Sequence, residues 1–129
     1  MRLNDLKTSE EVLAEHLRDP DFRREWERTA VARAVAVRVI AYRAEHGVSQ
    51  RALAQKLGMT QPQVARLEVG KHNPTIDTLA RLAEALNVEF AIDIHPRRRA
   101  PKLLSGRAQR ANAIASYETE TAGVLFAAG

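Results

Sequence analysis

Apolar and polar residues alternate along this chain at helical spacing for most of its length, then once at strand spacing, and then without a period. From Ser9 to Arg18 the residues Val12, Leu13 and Leu17 make a stripe, Ser9 is placed to cap it, and Glu10 and Glu11 suit a first turn. Asp19-Pro20 ends that helix. A longer helix is predicted from Asp21 to Glu45, either unbroken or with a break near Thr29, because no glycine or proline interrupts it. Within it Val35, Val39 and Tyr42 form one apolar stripe, and Val37, Ile40 and Ala44 a second. A surface helix needs only one such stripe. The second has to be covered by the N-terminal segment, a second subunit or another protein.

Gly47 stops this helix where a left-handed residue costs little. Ser49 caps the next, Gln50 to Leu57, whose Leu53 and Leu57 point inward before Gly58. Thr60 caps a third short helix, in which Pro62 occupies the first turn and gives up no intrahelical hydrogen bond. The loop Lys71-His72-Asn73-Pro74 follows, and Thr75 caps a helix whose Ile76, Leu79, Ala83 and Leu86 share a face, with Asn87 closing it. In Val88 to Ile94 the residues Val88, Phe90, Ile92 and Ile94 alternate with polar or small ones, the signature of a half-buried strand. A lone strand leaves its backbone groups unpaired, and nothing else in the sequence alternates well, so its partner is expected on another chain. Residues 96–129 are expected to be mostly disordered, with a weak helical tendency from Arg107 to Ser116.

Length and charge narrow the function. With 129 residues there is room for one domain and an extension at either end. The absence of cysteine removes disulfides, thiolate metal sites and thiol nucleophiles. The charged N-terminus lacks the apolar run of a signal peptide, and no stretch has the length of a membrane span, so a soluble, cytoplasmic protein is expected. Residues 1–32 carry 6 Lys+Arg against 8 Asp+Glu, residues 33–94 carry 8 against 6, and residues 95–129 carry 6 against 2. Between Ser49 and Asn73, Arg51, Lys56, Arg66 and Lys71 stand against Glu68 alone, which favours a polyanionic partner. No two of His16, His46, His72 and His95 are spaced for a helical metal pair, and no serine lies in a nucleophile turn. No catalytic residue, metal or cofactor is therefore expected.

Two short helices, Gln50 to Leu57 and Gln61 to Glu68, joined by a tight glycine turn and bracketed by longer helices, make a helix-turn-helix pattern. The run SQRALAQKLGMTQPQVARLEVGKHNPTIDTLARLAEALNV resembles the Xre/Cro-like domain of phage repressors. From DPDFRREWERTAVARAVAVRVI through to Ile94 the chain is similar to HigA-type antitoxins. The resemblance covers Asp19 to His95. With the pattern of the rest of the chain, the expected fold is an all-α, Xre/Cro-like helix-turn-helix bundle with an N-terminal helical extension (1–32), a DNA-binding domain (33–87), one strand (88–95) pairing across a dimer, and a basic tail (96–129), residues 1–18 and 96–129 lying outside the resemblance. Within its span the resemblance implies Gln61, Gln63 and Arg66 as readers of base edges, with Pro62 and Ala65 able to meet thymine methyls. Gln50, Arg51, Lys71, His72 and Asn73 would form a phosphate clamp, and Arg43 would pair with Glu68. The implied function is a homodimeric antitoxin of a type II toxin-antitoxin system that represses its own operon and neutralises a HigB-like mRNA-cleaving toxin. A stand-alone phage-type repressor is the alternative.

Overall fold

The computed structural model describes residues 6–99, 113–119 and 122–129. Among them are six helices, α1 (Ser9–His16), α2 (Pro20–Arg28), α3 (Ala30–His46), α4 (Gln50–Leu57), α5 (Gln61–Val69) and α6 (Ile76–Leu86), and three strands, β1 (Phe90–Pro96), β2 (Ala113–Glu118) and β3 (Ala122–Ala128). None of the described helices is long and apolar enough to cross a membrane.

Each helix start has a side-chain acceptor for its orphan amides, with one exception. Thr8, not Ser9, caps α1, in a capping box with Glu11. Asp19 caps α2, so that Asp19-Pro20 ends one helix and begins the next. Ser49, Thr60 and Thr75 cap α4, α5 and α6. The exception is α3, whose N-cap Thr29 makes no capping bond, because its hydroxyl donates to the Glu25 carbonyl at 2.9 Å. Asn73 serves in its place. Its Oδ1 accepts from the Ala32 amide at 3.1 Å while its Nδ2 donates to the Arg28 carbonyl at 2.9 Å. The break at Thr29 is thus held by a residue from the loop after α5, a long-range fact invisible to local propensity.

The core is built from Val31, Val35 and Val39 of α3, Leu53 and Leu57 of α4, Val64 of α5, Leu79, Leu82 and Leu86 of α6, and Phe126 of β3. On α6 the inward face uses Leu82, whereas Ile76, expected inside, is exposed in the first turn. Of the two stripes on α3, the one through Val35 and Val39 is buried; Val37 is 61% exposed and Ile40 45% exposed.

The strands correct the expected architecture. β3 lies at the centre of an antiparallel sheet in the order β1-β3-β2, and β1 pairs with it in the same chain: Phe90 opposite Ala128, Ile92 opposite Phe126, Ile94 opposite Val124. Beyond β1, Glu89 and Gly129 exchange both backbone hydrogen bonds, at 2.7 and 2.9 Å. The strand expected to lack a partner in its own chain thus has one, β3. Residues 113–118 and 122–128 are strand where disorder was expected, and residues 113–116 are not helical; the rest of the segment from Arg107 lies outside the described residues. AGVLFAA escapes an alternation test because β3 is buried on both faces, Phe126 on one and Leu125 and Ala127 on the other. Stacked rings of Phe90 and Phe126, 5.6 Å between centroids, fasten the sheet to the helical core.

Phe126 has no exposed surface, so Phe126→Ala is expected to lower the unfolding free energy by about 3–5 kcal/mol. Urea denaturation followed by circular dichroism would show it. A loss under about 1 kcal/mol would mean that the C-terminal sheet is not part of the cooperative unit.

Candidate nucleic-acid interface

Helix α5 owes its position to a short connection and a close fit. Gly58, at φ 66°, closes α4 in the left-handed conformation, and Arg81 donates to its carbonyl from α6 at 3.2 Å. Val64 is fully buried against α4 and α3, and Leu67 packs beside it. With about 100° per residue, Gln61, Pro62, Ala65, Arg66 and Val69 fall in an arc of about 140° that faces away from this contact. Val69 is 60% exposed at the end of that arc. Sequence reading assigned it no role, although its spacing of four from Ala65 carries the signal.

The outward arc is oriented by a chain of polar contacts reaching from α3. Arg43 places Nη2 2.6 Å and Nε 2.7 Å from Oε1 of Glu68, and its Nη1 donates to the Val48 carbonyl at 3.3 Å. The other carboxylate oxygen of Glu68 accepts from Nε2 of Gln50, and Oε1 of Gln50 accepts from Nε2 of Gln61 at 2.9 Å. Glu68 is only 7% exposed, so a buried carboxylate is met by donors from α3 and α4 together. Gln50, expected on phosphate, is the middle link. Gln61 keeps its carbonyl oxygen and one N–H unspent, the pair a glutamine uses to give and take on adenine.

Gln63 stands elsewhere. It lies outside the outward arc, and its Oε1 accepts from the Thr60 amide at 2.8 Å while its own amide donates to Thr60 Oγ1 at 3.3 Å. This capping box, Thr60-x-x-Gln63, was present in the sequence and explains the glutamine without DNA. Asn73, expected on phosphate, has both ends of its amide engaged at the joint of α2 and α3. Arg66 lies on the outward arc, Arg51 stands in the first turn of α4, and Lys71 and His72 follow α5; all four are exposed and have no partner among the described residues. Gln61 and Arg66 therefore share one outward arc, Arg51 follows Gln50 on α4, Lys71 and His72 follow the end of α5, and Gln63 and Asn73 are engaged in hydrogen bonds at helix starts. Among the described residues no cluster could hold a metal ion.

Two short helices crossing through a tight turn, the second with a polar outer arc ringed by unpaired cations, define a helix-turn-helix. Residues 39–92 match the family described as helix-turn-helix, and the chain belongs to that family. A Haemophilus influenzae protein named as an uncharacterized HTH-type transcriptional regulator is 37% identical over 54 residues, which cover 42% of this chain and 55% of that protein. Proteins of the same name from Archaeoglobus fulgidus and Methanothermobacter thermautotrophicus are 34% and 36% identical over 53 residues, 41% of this chain and 76% and 77% of theirs. The chain thus spans little more than half the length of the Haemophilus relative. The crystal structure of the clp gene regulator ClgR from Corynebacterium glutamicum shares 26% identity over 44% of this chain and 73% of that one, at a TM-score of 0.41.

Arg43→Ala leaves the Glu68 carboxylate buried without its cation, and a loss of about 3 kcal/mol in unfolding free energy is expected. In a double-mutant cycle with Glu68→Gln, measured by urea denaturation, the two changes should couple by more than about 1 kcal/mol. Additive losses would show that the pair does not act as a unit.

Proposed function

We propose that this chain is a sequence-specific, duplex-DNA-binding transcriptional regulator acting in the cytoplasm. The observation that carries the reading is the outward arc of α5, where Gln61 is held by a polar chain from Gln50 and Arg66 extends free. The rod presents an amide and a guanidinium fork, the groups that match adenine and guanine edges in a major groove. Pro62, Ala65 and Val69 lie between them and offer apolar surface to thymine methyls. Arg51, Lys71 and His72 flank the rod where phosphate backbones would pass, setting register and strength without reading sequence. As a homodimer it would set two such rods in successive major grooves, about 34 Å apart on an inverted repeat. No step of this function needs a catalytic group or a cofactor.

The finer reading is a HigA-type antitoxin that neutralises a HigB-like toxin. Its support is the pair of helices α1 and α2, which lie outside the matched residues 39–92 and belong to a segment with 6 Lys+Arg against 8 Asp+Glu. An acidic helical extension suits a basic ribonuclease. Co-expression with the product of a neighbouring short, basic reading frame tests it: a complex stable in size exclusion supports the antitoxin, and separate elution favours a stand-alone repressor.

Arg66→Ala is expected to cost about 1–3 kcal/mol on the cognate site and to relax discrimination at one base pair. Lys71→Ala should weaken binding to every duplex and reduce the salt slope by about one unit. Gel shifts and anisotropy titrations on the gene's own promoter and on scrambled duplex would resolve the two. If both variants lose affinity equally on both DNAs, the division of labour is wrong.

A further inference from the structure

A cleft of about 560 Å³ opens between α2 and the segment that ends α5. Its floor is aromatic: Phe22 and Trp26, successive turns of α2, stack with ring centroids 6.1 Å apart. Its walls are cationic. The Arg33 guanidinium lies 3.5 Å above the Trp26 ring, with one nitrogen donating to Thr29 Oγ1 at 2.8 Å, and Lys71 and His72 face it from the loop. Glu25 and Arg28 also border the cleft, but they pair with each other at 2.9 Å. Arg33 and Lys71 are therefore two positive charges without a carboxylate among the described residues. Partial burial holds the Arg33 pKa below the ordinary arginine value.

We propose that this cleft binds a small aromatic carboxylate, its ring against Phe22 and Trp26 and its carboxylate between Arg33 and Lys71. The volume lies within the range of small-molecule sites, and the donor set matches the anion. A guanidinium offers a planar fork to a carboxylate, and an ammonium adds a second contact. Inorganic anions are a poorer match, because they would leave two aromatic rings facing water. Neutral rings are poorer too, since they would bring no anion to Arg33 and Lys71, whose charges meet no carboxylate among the described residues.

The site has a direct route to α5. Gly70, in the left-handed conformation at φ 70°, lies so close to α3 that a Cβ there would sit 3.4 Å from the Arg33 Cα. Val69 is at once a wall of the cleft and the last residue of the outward arc. Lys71 is shared between the cleft and the phosphate-contacting role assigned above. A bound carboxylate that engages Lys71 competes with a phosphate for it, so ligand and DNA binding oppose each other by linkage. That regulatory step rests on the DNA-binding reading; the binding site does not.

The single tryptophan of the chain makes the test direct. The full chain, without DNA, is titrated with phenylacetate while Trp26 emission is followed, with benzyl alcohol and inorganic phosphate as comparison probes. A saturable change for phenylacetate, with affinity roughly tenfold or more above either comparison, is expected. Arg33→Gln should reduce that affinity by a similar factor while thermal unfolding stays near that of the parent. Should Arg33→Gln fail to fold, Lys71→Gln at its exposed position serves, with a smaller loss. The site is overturned by a change that does not saturate, by benzyl alcohol or phosphate binding as well as phenylacetate, or by unaltered affinity in the folded variants. A second arm adds promoter duplex: saturating phenylacetate should weaken DNA binding several-fold. Intact phenylacetate binding with unaltered DNA affinity removes the regulatory link alone, and a parent that binds no duplex removes the DNA-binding reading while leaving the emission result to decide the cleft.

Discussion

A carboxylate removed from water has to find cations and donors, and the placement of Glu68 makes that demand on three helices at once. Arg43 comes from α3, Gln50 from the start of α4, and Glu68 itself from the last turn of α5. Apolar contacts among Leu53, Leu57, Val64 and Leu67 pull these helices together but tolerate small rotations, because the hydrophobic effect has no direction. Hydrogen bonds do have direction. The same contacts that satisfy Glu68 fix the rotation of α5 and the side chain of Gln61, so the outward arc is set by a buried charge.

A second constraint acts at the other end of the rod. The loop after α5 carries two residues with opposite uses: Lys71 reaches solvent unpaired, and Asn73 closes the gap between α2 and α3. The N-terminal extension is thereby tied to the loop that follows the outward arc of α5. The Asn73 amide joins that loop to the Arg28 carbonyl of α2 and the Ala32 amide of α3, and Gly70 packs close to Arg33 of α3. The extension is thus packed and hydrogen-bonded to the domain, even though the family match begins at residue 39.

Most of this architecture was legible in the sequence because it rests on local chemistry. Ser49, Thr60, Thr75, Gly47, Gly58 and Asn87 mark helix ends by capping and left-handed geometry, and the structure uses each of them so. Three features were not legible, each for its own reason. β3 is buried on both faces and so shows no alternation, which made β1 look unpartnered. Thr8 and Ser9 are adjacent candidates for one cap, and only the reciprocal bond with Glu11 separates them. The engagement of Asn73 spans more than forty residues, beyond the reach of any local window. Gln63 is a different case: the Thr60-x-x-Gln63 spacing was visible, and the pull of a glutamine-rich surface outweighed it.

That last case bears on how the site works. The Gln63 carbonyl oxygen already accepts from the Thr60 amide, so swinging that side chain outward would give up half of a capping box, and such caps contribute about 1 kcal/mol to a helix. Gln61 faces no such conflict, because its contact with Gln50 uses one N–H and leaves the complementary pair. Of two glutamines two residues apart, one therefore keeps an outward donor and acceptor, and the other closes the first turn of its own helix. The difference lies in where each carbonyl oxygen points. That direction is fixed for Gln61 by Gln50 and Glu68, and for Gln63 by the first turn of its own helix.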